Sequence, residues 1–217
     1  MTEADQREVK ISKALSYLLR HGALKEKLDI DEEGYVKISA LLQHQRLKSY
    51  RTTREDIDAV VRNNNKKRFT IRDGEYICAN QGHSIKKVSN NNLDLMTLET
   101  IPKEVYHGTY KKKLPSIIAS GGLSRMNRNH IHMTSREFSK ISGIRYNADI
   151  LVYIDVAKSM AAGIKFYKSL NNVILSEGDE NGFISWKYYE KIVDIKTGNE
   201  LAIEQFFQEN QDKNSTT

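Results

Sequence analysis

Arg20 and His21 stand side by side in SYLLRHG (residues 16–22), a cation and a titratable imidazole just ahead of Gly22. Two chemistries suit that pair. A helix C-terminus concentrates partial negative charge, which favours basic side chains in its last turn and a glycine beyond it as a left-handed cap. Alternatively the pair forms half of an anion site, because the planar fork of arginine gives parallel, charge-assisted hydrogen bonds to phosphate oxygens. Position alone favours the cap, so the choice rests on the rest of the chain.

Other polar groups are clustered. Arg62, Lys66, Lys67, Arg68 and Arg72 lie within eleven residues; such a group contacts phosphates without reading a base sequence. Four of the six histidines fall between His83 and His132, and His130 and His132 form a His-x-His pair. That spacing puts both rings on one face of a strand, as in some metal sites. No carboxylate flanks the pair, and Cys78 is the sole cysteine, so no metal is expected and no intrachain disulfide can form. There is no G-x-x-x-x-G-K-[ST] loop, no G-x-G-x-x-G after a strand and no G-x-S-x-G elbow. These absences remove the common nucleotide-binding and serine-hydrolase fingerprints.

The chain that must position these groups has 217 residues, 39% hydrophobic and 29% charged, with a net charge of +6. It is long enough for a real core and reads as globular. No apolar run approaches the roughly 20 residues a membrane span requires, and the polar start MTEADQREVK has no secretory core. An intracellular protein with no membrane partner is expected. Residues 1–88 carry 18 Lys and Arg against 13 Asp and Glu, and residues 89–217 carry 16 against 15. The positive excess therefore sits almost wholly in the first part, which suggests that this part meets a polyanion.

The expected domains are 1–88 and 104–207, joined by an Asn-rich linker at 89–103 and followed by a disordered polar tail at 208–217. Ile11, Leu15, Leu18 and Leu19 make one helical stripe that ends near Arg20. At about 100° per residue Arg20 lies nearly opposite that stripe and His21 on its flank, so neither is needed in the helix's own core. A short second helix is expected over Val36 to Leu42. A third begins after Thr53, which has capping-box spacing to Asp56. RFTIRDGEYICA reads as a hairpin about Asp73-Gly74. Three helices and a hairpin are the order of a winged-helix module. The second segment mixes strands (VYHGT, HIHMT, ILVYIDV, NVILS, KIVDI) with helices near LPSIIASGG and VAKSMAAG. It lacks a regular βαβ alternation, so the fold class is α+β with a split sheet.

Six short strings, LLRHG, KKRF, QGHS, YHGT, RNHIHM and SLNNVILSEG, occur in an order and spacing that resemble the RNA 2′-phosphotransferase family, from about Val9 to about Ile195. The resemblance implies a winged-helix lobe for RNA and an ADP-ribosyltransferase-like lobe for NAD. It implies removal of an internal 2′-phosphate from RNA, spliced tRNA above all, by a monomeric enzyme that consumes NAD and passes through an ADP-ribosylated RNA phosphate. The products would be 2′-hydroxyl RNA, nicotinamide and ADP-ribose 1″,2″-cyclic phosphate.

It also assigns residues. Arg20, His21, Arg68 and Arg128 would surround the reactive phosphate, supported by Lys66 and Lys67. The NAD side would use Gln81, His83, Ser84, His107, Gly108, Thr109, His132, Thr134, Ser142, Gly143 and Arg145. Val173 would stand where many protein ADP-ribosyltransferases carry a catalytic glutamate, as is usual in the phosphotransferase family. Ser84 and Ser142 also suit ordinary turn or cap positions. Two other readings remain at this point: an ADP-ribosyltransferase acting on terminal phosphates of nucleic acids, and a winged-helix nucleic-acid-binding protein without catalysis.

Overall fold

The structure, a computed structural model, describes residues 3–138, 147–204 and 206. The chain forms two compact units, Met1–Leu93 and Asp94–Thr217. Helices and small antiparallel sheets alternate without parallel crossovers, so the fold is α+β. The polar tail expected at 208–217 lies outside the described residues.

In the first unit α1 spans Glu3–Tyr17, and a π-helical turn, Leu18–Gly22, continues it. Ile11, Leu15, Leu18 and Leu19 are all buried, as the stripe requires. Each stabilises the fold by roughly 1.5–3 kcal/mol relative to exposure. β1 covers Tyr35–Lys37 and α2 covers Ile38–Gln43. The second helix thus starts two residues later than its expected Val36, because Val36 is taken into the sheet opposite Ile77. A short α3, Gln45–Lys48, follows, with His44 as its cap; the sequence had given no sign of it.

α4, Arg54–Asn63, has the capping box that its sequence indicates. The Thr53 N–H donates to Asp56 Oδ2 at 2.8 Å, and the Asp56 N–H donates to Thr53 Oγ1 at 3.3 Å. β2 (Phe69–Arg72) and β3 (Tyr76–Ala79) form the hairpin about Asp73-Gly74, and β1 pairs with the other edge of β3. The helices cover this sheet through one apolar core that includes Leu15, Leu19, Leu41, Ile57, Phe69 and Ile77.

Asp56 also joins α4 to α1. Arg7 donates from Nη1 and Nη2 to its two carboxylate oxygens, both at 2.6 Å, and to the Tyr50 and Arg51 carbonyls at 3.1 and 3.0 Å. The hydrogen bonds from Arg7 hold the Asp56 carboxyl down at about 2, against an ordinary value of 3.8. A carboxyl lowered in the folded state stabilises it fully above the unfolded value, and that stability fades as pH falls from about 4 toward 2. The Arg7 side chain is 40% exposed, so solvent screening reduces the gain to about 1–2 kcal/mol. In urea unfolding, Asp56→Asn is expected to lose about that much at pH 6 and little at pH 2.

The second unit contains β4 (Asp94–Leu95), β5 (Val105–Thr109), α5 (Leu114–Ala119), β6 (Gly122–Ser124) and β7 (Ile131–Met133). β8 (Ile150–Ile154), α6 (Val156–Ala161), β9 (Tyr167–Lys168), β10 (Ile174–Ser176), β11 (Phe183–Ser185) and β12 (Tyr189–Asp194) complete it. The strands pair in the orders β4-β9-β10-β7, β12-β8-β5 and β11-β6. One bridge, Tyr106 to Thr134, joins the first two sheets, with both main-chain hydrogen bonds at 2.9 Å. The segment expected as a linker, 89–103, does not run as free chain. Asp94 and Leu95 pair with Lys168 and Tyr167, and Met96 and Ile101 enter the second unit's core.

Candidate functional site

The residues singled out by chemistry fall into one group in each unit. In the first, LLRHG is not the capped helix end that its position suggested. Gly22 takes no left-handed conformation, Ala23 is right-handed helical, and the Glu26 N–H donates to the Gly22 carbonyl at 2.9 Å. The chain widens into a π-turn instead of stopping. Such turns put an extra residue into the helix and re-aim the side chains around it. His21 is exposed and Arg20 half-buried.

QGHS closes over these two. The His21 Nδ1 and the Ser84 Oγ lie 2.9 Å apart, and the Ser84 N–H donates to the Arg20 carbonyl at 2.9 Å. Gly82, at φ +91°, lets the Arg20 side chain lie across it: a Cβ there would sit 3.4 Å from Arg20 Cδ and Nε. Gln81 is half-buried and His83 is buried beside Gly34. The structure therefore gives Ser84 a definite task, fixing the ring of His21. Ser84→Ala is expected to release that ring, at the cost of about one hydrogen bond. The checking measurement is the set of nitrogen chemical shifts of the His21 ring in labelled protein.

Arg68 is held by two asparagines that the sequence reading missed. Its Nη1 donates to Asn64 Oδ1 at 3.0 Å. Asn80, itself buried, donates its backbone N–H to the Arg68 carbonyl at 2.8 Å and Nδ2 to the Lys67 carbonyl at 2.6 Å, and its Oδ1 accepts from Thr70 at 2.7 Å. Residues 80–84 thus tie down both Arg68 and the Arg20-His21 pair. Asn80 directly precedes QGHS, but an asparagine at a strand end carries no sequence signal beyond a turn. Burial pushes the Arg68 guanidinium down from its ordinary value, although an arginine stays cationic at neutral pH. Lys66 and Lys67 are exposed on the same turn.

Arg72, from the same basic cluster, is engaged elsewhere. It stacks on the Tyr35 ring at 3.8 Å and pairs with Asp31 at 3.0 Å and with Glu33. It belongs to the hairpin's support and not to a phosphate-facing set.

In the second unit the expected residues collect where β5 meets β7. The His107 Nδ1 lies 2.7 Å from the His132 carbonyl. A carbonyl only accepts, so Nδ1 carries the proton and Nε2 is the acceptor nitrogen of the neutral ring. Gly108 and Thr109 follow on β5, paired with Leu151 and Ile150. β5 is the edge strand of its sheet, and Thr134 reaches it through the Tyr106 bridge. Val173 is fully buried; extending the β7–β10 register by one residue puts it opposite Thr134.

His132 lies opposite Leu175, while Ile131 and Met133 enter the core. His130 is buried edge-on to the Tyr167 ring at 6.2 Å. Among the described residues no three His, Cys, Asp or Glu side chains gather as a metal-holding group. Arg128 is exposed at the end of a turn closed by its N–H to the Arg125 carbonyl at 3.1 Å. Ser142, Gly143 and Arg145 lie outside the described residues. Among those residues, no helix is long and apolar enough to cross a membrane.

The chain is similar to a tRNA 2′-phosphotransferase of Saccharomyces cerevisiae, 42% identical over 185 residues that make up 80% of each chain. It is 41% identical to a tRNA 2′-phosphotransferase 1 of Danio rerio, over 88% of each chain. The human protein named tRNA 2′-phosphotransferase 1 is 40% identical over 88% of this chain and 77% of its own. A family model described as RNA 2′-phosphotransferase, Tpt1 / KptA family, matches residues 6–178, which include every group above. The chain belongs to that family.

Proposed function

We propose that this protein removes the internal 2′-phosphate from tRNA and transfers it to NAD, leaving 2′-hydroxyl RNA, nicotinamide and ADP-ribose 1″,2″-cyclic phosphate. The observation that supports it best is the fixed cationic group in the first unit. The main chain of Arg20 and of Arg68 and the ring of His21 are all tied to residues 80–84, so the positions from which these side chains extend are set before any phosphate arrives. Preorganised donors of this kind stabilise charge without reorganising during the reaction. Four helices, α1 to α4, followed by the β2–β3 hairpin to which β1 adds a third strand, support a winged-helix lobe that receives the RNA, and the unit's surplus of positive charge suits a polyanion.

The second unit supports the NAD side. Gly108 puts no side chain between the β5 main chain and a neighbouring group, and the acceptor Nε2 of His107 suits a ribose hydroxyl. Two sheets joined at a single bridge agree with an ADP-ribosyltransferase-like lobe. NAD, when bound, supplies the ribose that accepts the phosphate. His132 and Thr134 would line the same place, and the aliphatic Val173 supplies no carboxylate.

The chain's own residues then have two tasks. The 2′-phosphate is already an anion, so attack on the anomeric carbon needs positioning more than a base. Arg20 and His21 provide that positioning. When the neighbouring ribose O2″ bonds to phosphorus and displaces the RNA 2′-oxygen from the ADP-ribosylated RNA phosphate, negative charge would gather on the phosphoryl oxygens. Arg68 and Arg128 stabilise it, with Lys66 and Lys67 in support. His21 either gives a proton to the leaving oxygen or hydrogen-bonds the phosphate, both of which an imidazole can do.

The test is incubation with an RNA bearing one internal 2′-phosphate. Phosphate should disappear only with NAD present, with one nicotinamide released per phosphate removed. Removal that proceeds equally without NAD, or a stable ADP-ribosylated RNA as the main product, would overturn the reading.

A further inference from the structure

The π-turn that carries Arg20 and His21 is braced by residues outside the proposed chemistry. In an α-helix a side chain packs on the residue four positions on, whereas a π-turn brings position i+5 into that place. Tyr17 and Gly22 are five apart. A Cβ at position 22 would stand 2.6 Å from Tyr17 Cε1, 2.9 Å from Cζ and 3.1 Å from Cδ1, so the ring lies directly on the backbone there and a larger residue would push it aside.

The ring is itself loaded. The Arg46 guanidinium sits 4.3 Å from its centroid, and Arg46 Nη2 is 3.5 Å from Glu26 Oε1. Glu26 Oε2 meets His44 Nε2 at 3.2 Å. His44 Nδ1 accepts the Arg46 N–H at 3.2 Å, so its proton is on Nε2 and points to the carboxylate. The Glu26 N–H donates to the Gly22 carbonyl at 2.9 Å, which closes a circuit from Tyr17 through Arg46 and Glu26 back to the turn.

We propose that Tyr17 is a positioning residue for Arg20 and His21: its ring, seated on Gly22 and held by Arg46, keeps the turn wide and so keeps His21 on Ser84 and Arg20 over Gly82. Relaxation to an ordinary α-turn would rotate both side chains away from those partners. The inference rests on the reading that this pair binds the 2′-phosphate.

Two measurements test it, each on the full chain. One is the nitrogen chemical shifts of the His21 ring in labelled protein, which report the state of Nδ1 and its contact with Ser84 without any substrate. The other is the affinity ratio between one RNA oligonucleotide with an internal 2′-phosphate and the same RNA without it. Tyr17→Phe keeps the ring and should match the wild type in both. Tyr17→Ala should move the His21 signals toward those of a histidine without the Ser84 contact and reduce the affinity ratio about tenfold, leaving binding of the unphosphorylated RNA unchanged.

Gly22→Ala should do the same. Adding Gly22→Ala to Tyr17→Ala should cost nothing further, because the ring it collides with is gone. Should Tyr17→Ala not fold, Arg46→Ala removes only the half-exposed cation and should shift both readouts in the same direction by about threefold. Unchanged His21 signals in Tyr17→Ala or Arg46→Ala would overturn the inference. A wild-type protein that does not prefer the 2′-phosphorylated RNA would overturn the functional reading instead, while the ring signals still decide the brace.

Discussion

Arg68→Ala is expected to lower kcat/KM for 2′-phosphate removal by about 10²–10³, the loss that follows removal of one preorganised donor from developing negative charge. The side chain is half-buried and its charge is already partly desolvated by its surroundings, so little further cost attends its approach to a phosphate. Asn64 and Asn80 hold its guanidinium and its backbone separately. Truncation therefore leaves the turn in place, and the melting temperature should stay close to that of the wild type. Arg68→Lys should recover only part of the rate, because an ammonium is a point charge that cannot offer two parallel donors. Initial rates with 2′-phosphorylated RNA at saturating NAD are the measurement. A loss below tenfold would remove Arg68 from the phosphate-binding set.

Gly122→Ala should have the largest effect on stability, and at a position remote in kind from the chemistry. Gly122 has φ +145°, and a Cβ there would fall 2.1 Å from the Ile184 carbonyl oxygen and 2.8 Å from Ser185 Cα. Both are backbone atoms of β11, the strand that β6 pairs with, so no side chain can turn aside to make room. The expected cost is about 3 kcal/mol or more, from an unfavourable backbone region together with the collision. Gly121→Ala is the control. It is also left-handed, at φ +104°, but nothing lies within 4 Å of its Cβ position, so it should cost only about 1 kcal/mol. Urea unfolding of the two variants separates conformational preference from close approach; equal costs would refute the close-approach argument.

The glycine pair shows why part of the fold was illegible in the sequence. Gly121-Gly122 after LPSIIAS reads as the end of a helix, and α5 does end there. That β6 begins at once, and presses Gly122 against a strand some sixty residues later, is a long-range fact with no local signal. The short strands β4, β6, β9 and β11 went unread for the same reason: two or three residues contain too little alternation to show a period. Where a local rule suffices, the reading was sound. The α4 capping box, the Asp73-Gly74 hairpin and the helical stripe of α1 each depend on residues within a few positions of one another.

The site divides along the same line. By itself the sequence determined the family, through six motifs that occur in order along one chain, and which side chains carry a charge suited to an anion, because residue type fixes that chemistry. It also determined that LLRHG ends the apolar stripe of a helix. Only the tertiary structure decided what that end is. A basic pair followed by glycine satisfies the rule for a helix cap equally well, and the rule contains no term for an aromatic ring five residues back or a serine sixty-three residues on. Tyr17 against Gly22 and Ser84 on His21 make the turn a π-turn and give the histidine its partner. Tertiary structure likewise took Arg72 out of the basic cluster, by stacking it on Tyr35 between two carboxylates. The physical reason is that charge belongs to a residue, whereas the direction in which that charge points belongs to whatever packs around it.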